Sequence, residues 1–331
     1  MNISVLGAGA WGSALACHLA ATRPVVLWAR DAAFAETLRR ERVNARYLPG
    51  VRFPETLRIE SDLARALGAA HCLILAMTVS GLRASLQRLR EAAVSVPVIW
   101  LCKGFERPQA KLPHEVFAEV MAPGHPHAVL SGPSFAEEVA AGLPAALTLA
   151  SARQDDAESL ARALHGGTLR VYSHDDVIGV EVGGAVKNVM AIAAGVCDGF
   201  GLGLNARAAL ITRGLAEMTR IGVALGARAE TFTGLAGLGD LILTCTGDLS
   251  RNRRVGLALA QGHTLAGAQS ALGHVAEGVF TAAEVQRRAR ALGVDTPITD
   301  AVCRVLDRPE ATADVVRELL AREPGAEHGR R

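Results

Sequence analysis

The stretch ISVLGAGAWGSALACHLAA, residues 3–21, joins an apolar run to an alanine-rich run through three glycines. The run ISVL has the length and composition of a buried strand, and SALACHLAA is typical of a helix. Between them the glycines follow the G-x-G-x-x-G spacing of a turn that binds a dinucleotide. Gly7 permits the tight turn, Gly9 lets the backbone approach a pyrophosphate, and Gly12 lets the helix pack on the strand. The alternative is a tight turn without a ligand.

The rest of the first half repeats this alternation of strand and helix, with helical stretches at 11–21 and 31–42. Nearly continuous apolar runs, typical of strands buried on both faces of a parallel sheet, lie at 25–28, 72–75, 96–102 and 128–130. Further strand candidates are 145–150 and 169–173. The pattern predicts an α/β fold with a Rossmann-type, doubly wound sheet in residues 1–180. Beyond about residue 175 helical spacing dominates, which predicts an all-helical C-terminal domain over residues 181–325.

The composition excludes several classes of protein. Half of the 331 residues are hydrophobic, 21% are charged and the formal net charge is +2, which favours a globular protein and gives no support to nucleic-acid binding. We see no secretory signal and no uninterrupted apolar run long enough for a transmembrane segment. The six cysteines are scattered without metal-ligand spacing, so we expect reduced thiols, no metal site and a cytoplasmic protein.

Lysine is rare in this chain: only Lys103, Lys111 and Lys187 occur among 35 basic residues. Lys187 lies in the small and apolar run EVGGAVKNVMAIAAG, residues 181–195. A buried lysine can lose its proton, whereas an arginine effectively cannot. The position therefore indicates acid–base chemistry. The alternative is a structural lysine whose amine extends from a buried helix to solvent.

The end of the second predicted strand, LWARD, bears on the choice of cofactor. An acidic residue there commonly holds the ribose 2′-hydroxyl of NAD, and an arginine commonly holds the 2′-phosphate of NADP. Arg30 favours NADPH, while Asp31, one residue later, keeps NAD possible. An arginine that is simply solvated at the end of the strand is the alternative.

The stretch SRNRRVGLALAQG, residues 250–262, predicts a helix capped by Ser250 and closed by Gly262. Its first turn contains three arginines, at 251, 253 and 254. Cations at a helix N-terminus oppose the helix dipole, so a bound anion such as a phosphate explains them better than helix stability does. Acidic neighbours elsewhere in the chain are the alternative.

Four polar residues follow predicted strands or lie in a glycine-rich turn. Lys103 ends the fourth strand in WLCKGF, and Ser131 and Ser134 lie in SGPSF after the next strand, at the edge where ligands bind in doubly wound sheets. Asp240 lies in the glycine-rich stretch TGLAGLGDLIL, where the residue alone favours a turn or cap. Lys111 is interpreted as a surface residue.

Together these motifs resemble the bacterial-type NAD(P)-dependent glycerol-3-phosphate dehydrogenases. The resemblance rests on GAGAWGSALA, WLCKGFE, SGPSFAEEVAAGLP, VGGAVKNVMAIAAG, NARAALITRGLAEM, GLAGLGDLILTCTGDLSRNRR and HVAEG, in this order over about residues 3–300. It implies interconversion of sn-glycerol 3-phosphate and dihydroxyacetone phosphate by hydride transfer, in support of phospholipid synthesis. It also implies a homodimer that binds a small phosphorylated substrate.

The matched positions imply that Lys187 is the catalytic acid–base group. The implied substrate contacts are Lys103, Gly132, Ser134, Lys187, Asp240, Ser250, Arg251 and Asn252. The implied cofactor contacts, with the glycines at 7, 9 and 12, are Ala10, Trp11, Arg30, Lys103, Ala136, Arg251, Val275 and Glu277.

One segment departs from the family pattern, and two other functions stay open. After the third predicted strand, family members commonly show a Pro-Ser pair, where this chain has AMTVSGL with Thr78 and Val79. A β-hydroxyacid or sugar-acid dehydrogenase of the same architecture is one rival function, although it would need to recognise a carboxylate. The other rival is a non-catalytic NADPH-binding sensor, which would have no use for Lys187.

Overall fold

The computed structural model of the chain describes residues 1–272 and 276–322. The strands are β1 (Ile3–Leu6), β2 (Val25–Trp28), β3 (Val43–Asn44), β4 (Leu48–Arg52), β5 (Leu57–Glu60), β6 (Cys72–Leu75), β7 (Val98–Trp100), β8 (His127–Ser131), β9 (Ala145–Ala150) and β10 (Leu169–His174). The helices of the first half are α1 (Ala10–Ala20), α2 (Ala32–Glu41), α3 (Leu63–Leu67), α4 (Val79–Glu91), α5 (Pro113–Val120), α6 (Ala136–Ala140) and α7 (Gln154–Leu164). Those of the second half are α8 (Val177–Gly199), α9 (Gly203–Ala224), α10 (Asp240–Thr246), α11 (Arg251–Ala260), α12 (Leu265–Leu272), α13 (Glu277–Ala291), α14 (Pro297–Asp307) and α15 (Thr312–Leu320).

Eight of the strands form one sheet in the order β10-β9-β8-β7-β6-β1-β2-β5. The chain runs outward from β1 in one direction through β2 and β5, and outward from β6 in the other. The strand order therefore reverses between β1 and β6, where Leu6 pairs with Leu75. Open α/β sheets bind ligands at the carboxyl ends of the strands beside this reversal. The glycine turn that follows β1 thus lies at the expected cofactor edge.

The predicted Rossmann-type sheet is confirmed, with two differences in detail. All seven predicted strands are present, but β8 and β9 pair antiparallel, while the other neighbours in the large sheet pair parallel. Strand β5 and the two-stranded β3–β4 pair were not predicted from the sequence. Strand β5 has the sequence LRIE and lies at the sheet edge, where its side chains alternate between buried and more exposed positions. It therefore lacks the continuous apolar run used to recognise the other strands.

The second half is helical, as predicted: within the described residues, no strand follows His174. Its central element is α8, whose first turn is capped by Asp176, which accepts a hydrogen bond from the Gly179 amide at 2.8 Å. By length and composition α8 could cross a membrane, but 89% of its most apolar window is buried by the rest of the protein. It is thus the core helix around which α9, α10, α11 and α13 pack. The domain division near residue 180 stays a prediction, and its predicted end at 325 lies outside the described residues.

Helices α8 and α11 pack closely because glycines lie at their crossing. A side chain added at Gly195 of α8 would overlap the backbone carbonyl of Arg253, and one added at Gly256 of α11 would overlap that of Ile192. The two backbones are therefore in direct contact. This contact fixes the N-terminal end of α11 relative to α8, and both helices carry predicted site residues.

Candidate active site

The glycine turn has the geometry that its spacing predicted. Gly7 adopts φ +126°, a conformation that side chains rarely allow, and an added Cβ would overlap the Ala76 carbonyl after β6. An added Cβ at Gly12 would overlap the Gly7 carbonyl. At Gly9 an added Cβ would meet nothing within 4 Å, so one side of the turn is open. This open side precedes the N-terminus of α1, and it fits the pyrophosphate of a dinucleotide.

The residues that follow the turn join it to the loop after β8. The Trp11 indole donates a hydrogen bond to the Ser134 carbonyl at 3.1 Å, and α1 begins at Ala10. Ala136 begins α6 directly beyond this loop. Two stretches predicted to contact the cofactor, more than 120 residues apart in the chain, are thus brought together.

At the end of β2 the two candidate side chains differ in their contacts. Asp31 is the N-cap of α2, and its carboxylate accepts a hydrogen bond from the Phe34 amide at 2.9 Å. Arg30 is exposed. The acidic group is therefore engaged in capping, while the guanidinium stands at the sheet edge where a 2′-phosphate is expected.

The central polar cluster consists of two lysines that share one carboxylate. Lys187 Nζ donates to Asp240 Oδ1 at 2.5 Å, and Lys103 Nζ donates to Asp240 Oδ2 at 2.7 Å. Lys187 and Asp240 are 8% and 1% exposed, so this ion pair lies in the interior. Asp240 is the first residue of α10, whose N-cap is Gly239, and its carboxylate binds the two lysines in addition to any local role in the turn.

The electrostatics of this cluster suit an amine that exchanges protons. Burial lowers the pKa of Lys187 to about 8, helped by the positive charge of Lys103 and opposed by the negative charge of Asp240. Both protonation states of Lys187 are therefore accessible near neutral pH. Such a group can donate a proton in one reaction direction and accept one in the other.

Thr244 also belongs to the cluster, although it was not predicted from the sequence. Its hydroxyl donates to the Asp240 carbonyl at 2.6 Å and accepts a hydrogen bond from Lys187 Nζ at 2.9 Å. Because the hydroxyl proton is engaged at the carbonyl, the lone pair of Thr244 is directed at the amine. The spacing of four residues from Asp240 on one helix was the available signal.

A second polar chain starts at the neighbour of Lys187. Asn252 donates from Nδ2 to Asn188 Oδ1 at 2.9 Å and accepts from the Gly278 amide at 3.0 Å. It thereby joins α8, α11 and the start of α13. Asn188 was also missed, because an asparagine inside a helix carries no pattern of its own. Burial raises the pKa of Glu277, the first residue of α13, and the nearby positive charge of Arg251 opposes the change.

The arginines of α11 divide into two kinds. Ser250 caps the helix as predicted, accepting from the Arg253 amide at 3.3 Å. The guanidinium of Arg253 donates to Asp198 Oδ2 at 2.7 Å and to Asp248 Oδ1 at 2.9 Å, so the alternative of acidic neighbours holds for this residue. Arg251 is exposed at the start of the helix. Only the exposed part of the predicted arginine cluster is thus available to an anion.

The loop after β8 provides backbone groups beside the lysines. Gly132 adopts φ +137°, and its carbonyl accepts from Ser134 Oγ at 3.2 Å and from Lys103 Nζ at 3.5 Å. Thus Gly132, Ser134 and Lys103, all predicted substrate contacts, form one group. Lys111, interpreted as a surface residue, is paired with Glu119 away from this group.

The segment that departs from the family pattern forms the start of α4. Thr78 is the N-cap, and its hydroxyl lies 2.9 Å from that of Ser80. Val79 is buried near the Gly104 turn that follows Lys103. The predicted cofactor contact Val275 lies outside the described residues, so its contribution stays a prediction.

Both halves of the chain match known family models. Residues 2–157 match the model described as NAD-dependent glycerol-3-phosphate dehydrogenase N-terminus, and residues 176–317 match the one described as its C-terminus. Among curated relatives, a glycerol-3-phosphate dehydrogenase (NAD(P)+) of Dechloromonas aromatica is 54% identical over 99% of both chains. One from Burkholderia lata is 57% identical over 99% of this chain and 100% of the relative.

A solved structure shows the same fold over nearly the whole chain. The crystal structure of glycerol-3-phosphate dehydrogenase from Coxiella burnetii superposes with a TM-score of 0.92 at 43% identity. The match covers 97% of this chain and 99% of that chain. Sequence and structure therefore agree on one family over both halves of the molecule.

Proposed function

The chain belongs to the NAD-dependent glycerol-3-phosphate dehydrogenase family, and from this premise we propose how the residues of its candidate active site act. It interconverts sn-glycerol 3-phosphate and dihydroxyacetone phosphate, with Lys187 as the acid–base group. The single observation that carries the assignment is the buried amine of Lys187, held 2.5 Å from a carboxylate that it shares with Lys103. Two amines, of which Lys187 is buried and Lys103 is partly buried, thus share a single carboxylate.

In the reductive direction, the oxygen at C2 of dihydroxyacetone phosphate gains negative charge. The Lys187 ammonium stabilises that charge and transfers a proton to the oxygen, which becomes the hydroxyl of the product. In the oxidative direction, the neutral amine accepts the hydroxyl proton. Asp240 and Thr244 orient the amine in both directions, because each forms a hydrogen bond with it.

The substrate phosphate binds at the N-terminal end of α11. Arg251 is exposed there, and the free amides of the first turn add the positive end of the helix dipole. Asn252, Ser250 and the Gly132–Ser134 loop complete the contacts. The phosphate is thereby placed on one helix and the proton donor on another, and these two helices touch through their glycines.

The glycine turn and Arg30 hold the dinucleotide, with Trp11, Lys103, Ala136, Arg251, Val275 and Glu277 as further contacts. When bound, the nicotinamide supplies or accepts the hydride at C2. The family relatives use NAD(P)+, and we propose that this chain prefers NADPH, with NADH as a second substrate. The support is that Asp31 is engaged in capping α2, while Arg30 is free to meet a 2′-phosphate.

Three further properties belong to this proposal. All six cysteines are free thiols, which suits the cytoplasm. Apolar side chains at the start of α9 are exposed, among them Leu204 at 71%, which suits a homodimer interface. The product, sn-glycerol 3-phosphate, would supply phospholipid synthesis.

The test is the oxidation of NADPH, followed at 340 nm, when dihydroxyacetone phosphate is added to the pure protein. We expect rapid turnover with NADPH and slower turnover with NADH. Dihydroxyacetone without its phosphate serves as the control, and we expect it to be a poor substrate. Binding of NADPH without turnover of any phosphorylated ketone would instead favour the non-catalytic sensor.

A further inference from the structure

A second buried carboxylate lies on the same helix as Lys187, outside the cluster that performs the proposed chemistry. Glu181 is 4% exposed, and its side chain receives three hydrogen bonds. Trp100 Nε1 donates to Oε1 at 2.9 Å, the His114 amide donates to Oε1 at 3.0 Å, and His114 Nδ1 lies 2.5 Å from Oε2. These partners come from β7 and from α5, so one carboxylate joins three elements.

The position of this junction relates it to the active site. Trp100 is the last residue of β7 and precedes Lys103 by three residues, while Glu181 precedes Lys187 by six residues on α8. At 1.5 Å per residue, the two positions on α8 are about 9 Å apart along the helix axis. Of the two lysines that bind Asp240, Lys187 lies on α8 and Lys103 follows β7, and Glu181 links α8 to β7.

A polar junction here is not explained by stability alone. Removing a carboxylate from water is costly, and well-packed apolar groups of similar volume commonly stabilise a core at least as well. A hydrogen-bonded carboxylate, however, fixes distance and direction at the same time, which apolar contacts do less sharply. Trp100 can only donate from its indole nitrogen, and the His114 amide can only donate, so an acceptor oxygen is required at this position.

We propose that Glu181 is a positioning residue of the proposed dehydrogenase: by binding Trp100 and His114 it holds β7 against α8 and so fixes the distance between Lys103 and Lys187 across Asp240. The proposal rests on the proposed function only for its kinetic consequence. The geometric consequence, a defined environment for the Lys187 amine, holds whether or not the enzyme turns over.

The charges around the junction are consistent with a strongly held pair. Burial alone would lower the pKa of His114, but the hydrogen bond and charge of Glu181 raise it above its ordinary value. Burial raises the pKa of Glu181, and its three donors oppose that change. Three other titratable or charged groups lie near the pair: Cys102, Glu115 and Arg288. A surface pocket beside His114 is also lined by the charged or titratable residues His127, Asp175, Asp176 and Arg228.

The chain offers a matched control for this residue. Glu217 on α9 is 1% exposed and accepts hydrogen bonds from the Ile298 and Thr299 amides, both at 3.0 Å. It too is a buried glutamate that links two elements, because it joins α9 to the start of α14. Removing it should affect folding stability in a similar way, without changing how β7 and α8 are held.

The experiment compares Glu181→Leu with Glu217→Leu in two measurements. For Glu181→Leu we expect kcat with dihydroxyacetone phosphate and NADPH to fall by about 10- to 100-fold, because a small displacement of catalytic groups has effects of this size. We expect KM for NADPH to stay within about twofold, since Glu181 lies away from the glycine turn. Glu217→Leu should lower the melting temperature and leave kcat of the folded enzyme close to wild type.

The second measurement does not depend on turnover. The chain has only three lysines, so labelling by acetic anhydride as a function of pH can be followed at each amine by mass spectrometry, with Lys111 as internal reference. In Glu181→Leu the looser site should hydrate Lys187 and raise its labelling midpoint toward that of an ordinary lysine. Glu217→Leu should leave this midpoint unchanged.

Two further variants decide the remaining cases. Glu181→Gln keeps the shape and the acceptor for Trp100 and should restore kcat to within about threefold of wild type. If Glu181→Leu does not fold, Trp100→Phe removes one donor with little loss of volume and should lower kcat about fivefold.

Unchanged kcat and unchanged Lys187 labelling in the folded variants would overturn the proposal. A wild-type protein without turnover would refute the proposed function, and the labelling would then decide on Glu181 alone.

Discussion

The cofactor edge and the lysine cluster differ in how much of the chain each needs. The glycine turn is complete within residues 7–12 and acts mainly through its backbone. The cluster assembles Lys103, Lys187 and Asp240, which span 137 residues, and acts only through its side chains. The first can therefore be recognised locally, whereas the second exists only once both halves of the chain have packed together. Substitutions in the two regions should fail in different ways.

The largest expected effect is on the cluster. Lys187→Ala should lower kcat for reduction about 1,000-fold, since a positioned acid–base group contributes factors of this order. The variant leaves Asp240 paired with Lys103, so we expect the protein to stay folded and to bind NADPH normally. Initial rates at 340 nm and NADPH titration test this. Lys111→Ala is the matched control and should be fully active; a Lys187→Ala enzyme within tenfold of wild type would move the acid–base role to another group.

The glycine turn offers a contrast inside one motif. Gly9→Ala should weaken NADPH binding about 100-fold with little change in melting temperature, because its Cβ meets no protein atom within 4 Å and points into the space for the pyrophosphate. Gly7→Ala should lower the melting temperature, since its Cβ would overlap the Ala76 carbonyl at φ +126°. Calorimetry and NADPH titration distinguish the two. If both variants lose stability equally, the open side of the turn is not the cofactor side.

A smaller effect is expected at the end of β2, where a side chain and not the backbone selects the ligand. Arg30→Asp should lower kcat/KM for NADPH about tenfold and leave that for NADH unchanged or higher, because a charge-assisted hydrogen bond to the 2′-phosphate is lost. The exposed Arg52, on β4, is the control for a general charge effect. Arg52→Asp should leave the ratio of the two cofactors as in wild type, and a ratio unmoved in Arg30→Asp would contradict the assignment.

The smallest expected effect is on the pH dependence of the two reaction directions. Reduction needs the ammonium form of Lys187, so kcat/KM should fall as the pH rises through about 8, while kcat/KM for oxidation should rise over the same range. Asp240→Asn should move both midpoints to lower pH, because the negative charge of Asp240 raises the pKa of Lys187. Profiles of kcat/KM against pH in both directions test the sign. Midpoints that move to higher pH would mean that Asp240 acts mainly by something other than its charge.

The fold was predictable from the sequence where a strand or turn shows its own pattern. The apolar runs predicted seven of the eight strands of the large sheet, and the glycine spacing predicted the turn after β1. Strand β5 was missed because its LRIE pattern alternates at an edge. The antiparallel pairing of β8 and β9 was missed because strand direction depends on the connection between strands, which apolar composition does not reveal.

The site was predictable only in part without the family resemblance. Lysine scarcity singled out Lys187, and the arginine-rich start of α11 indicated an anion. Asp240 alone was interpreted as a turn residue, because nothing local shows that Lys103 and Lys187 both reach it. Likewise Arg253 looked available to a ligand, and only the packed structure shows that Asp198 and Asp248 bind it. Pairings between distant side chains are a property of packing.

The glycine crossing of α8 and α11 has a consequence for substrate length. Because the two backbones touch at Gly195 and Gly256, no side chain between them can change rotamer to let one helix slide along the other. The proposed phosphate end of α11 and the amine on α8 are thus set apart by a rigid main-chain spacer. A fixed spacing of this kind selects substrates by length. A phosphorylated ketone with its carbonyl one carbon farther from the phosphate would not place that carbonyl at the Lys187 amine.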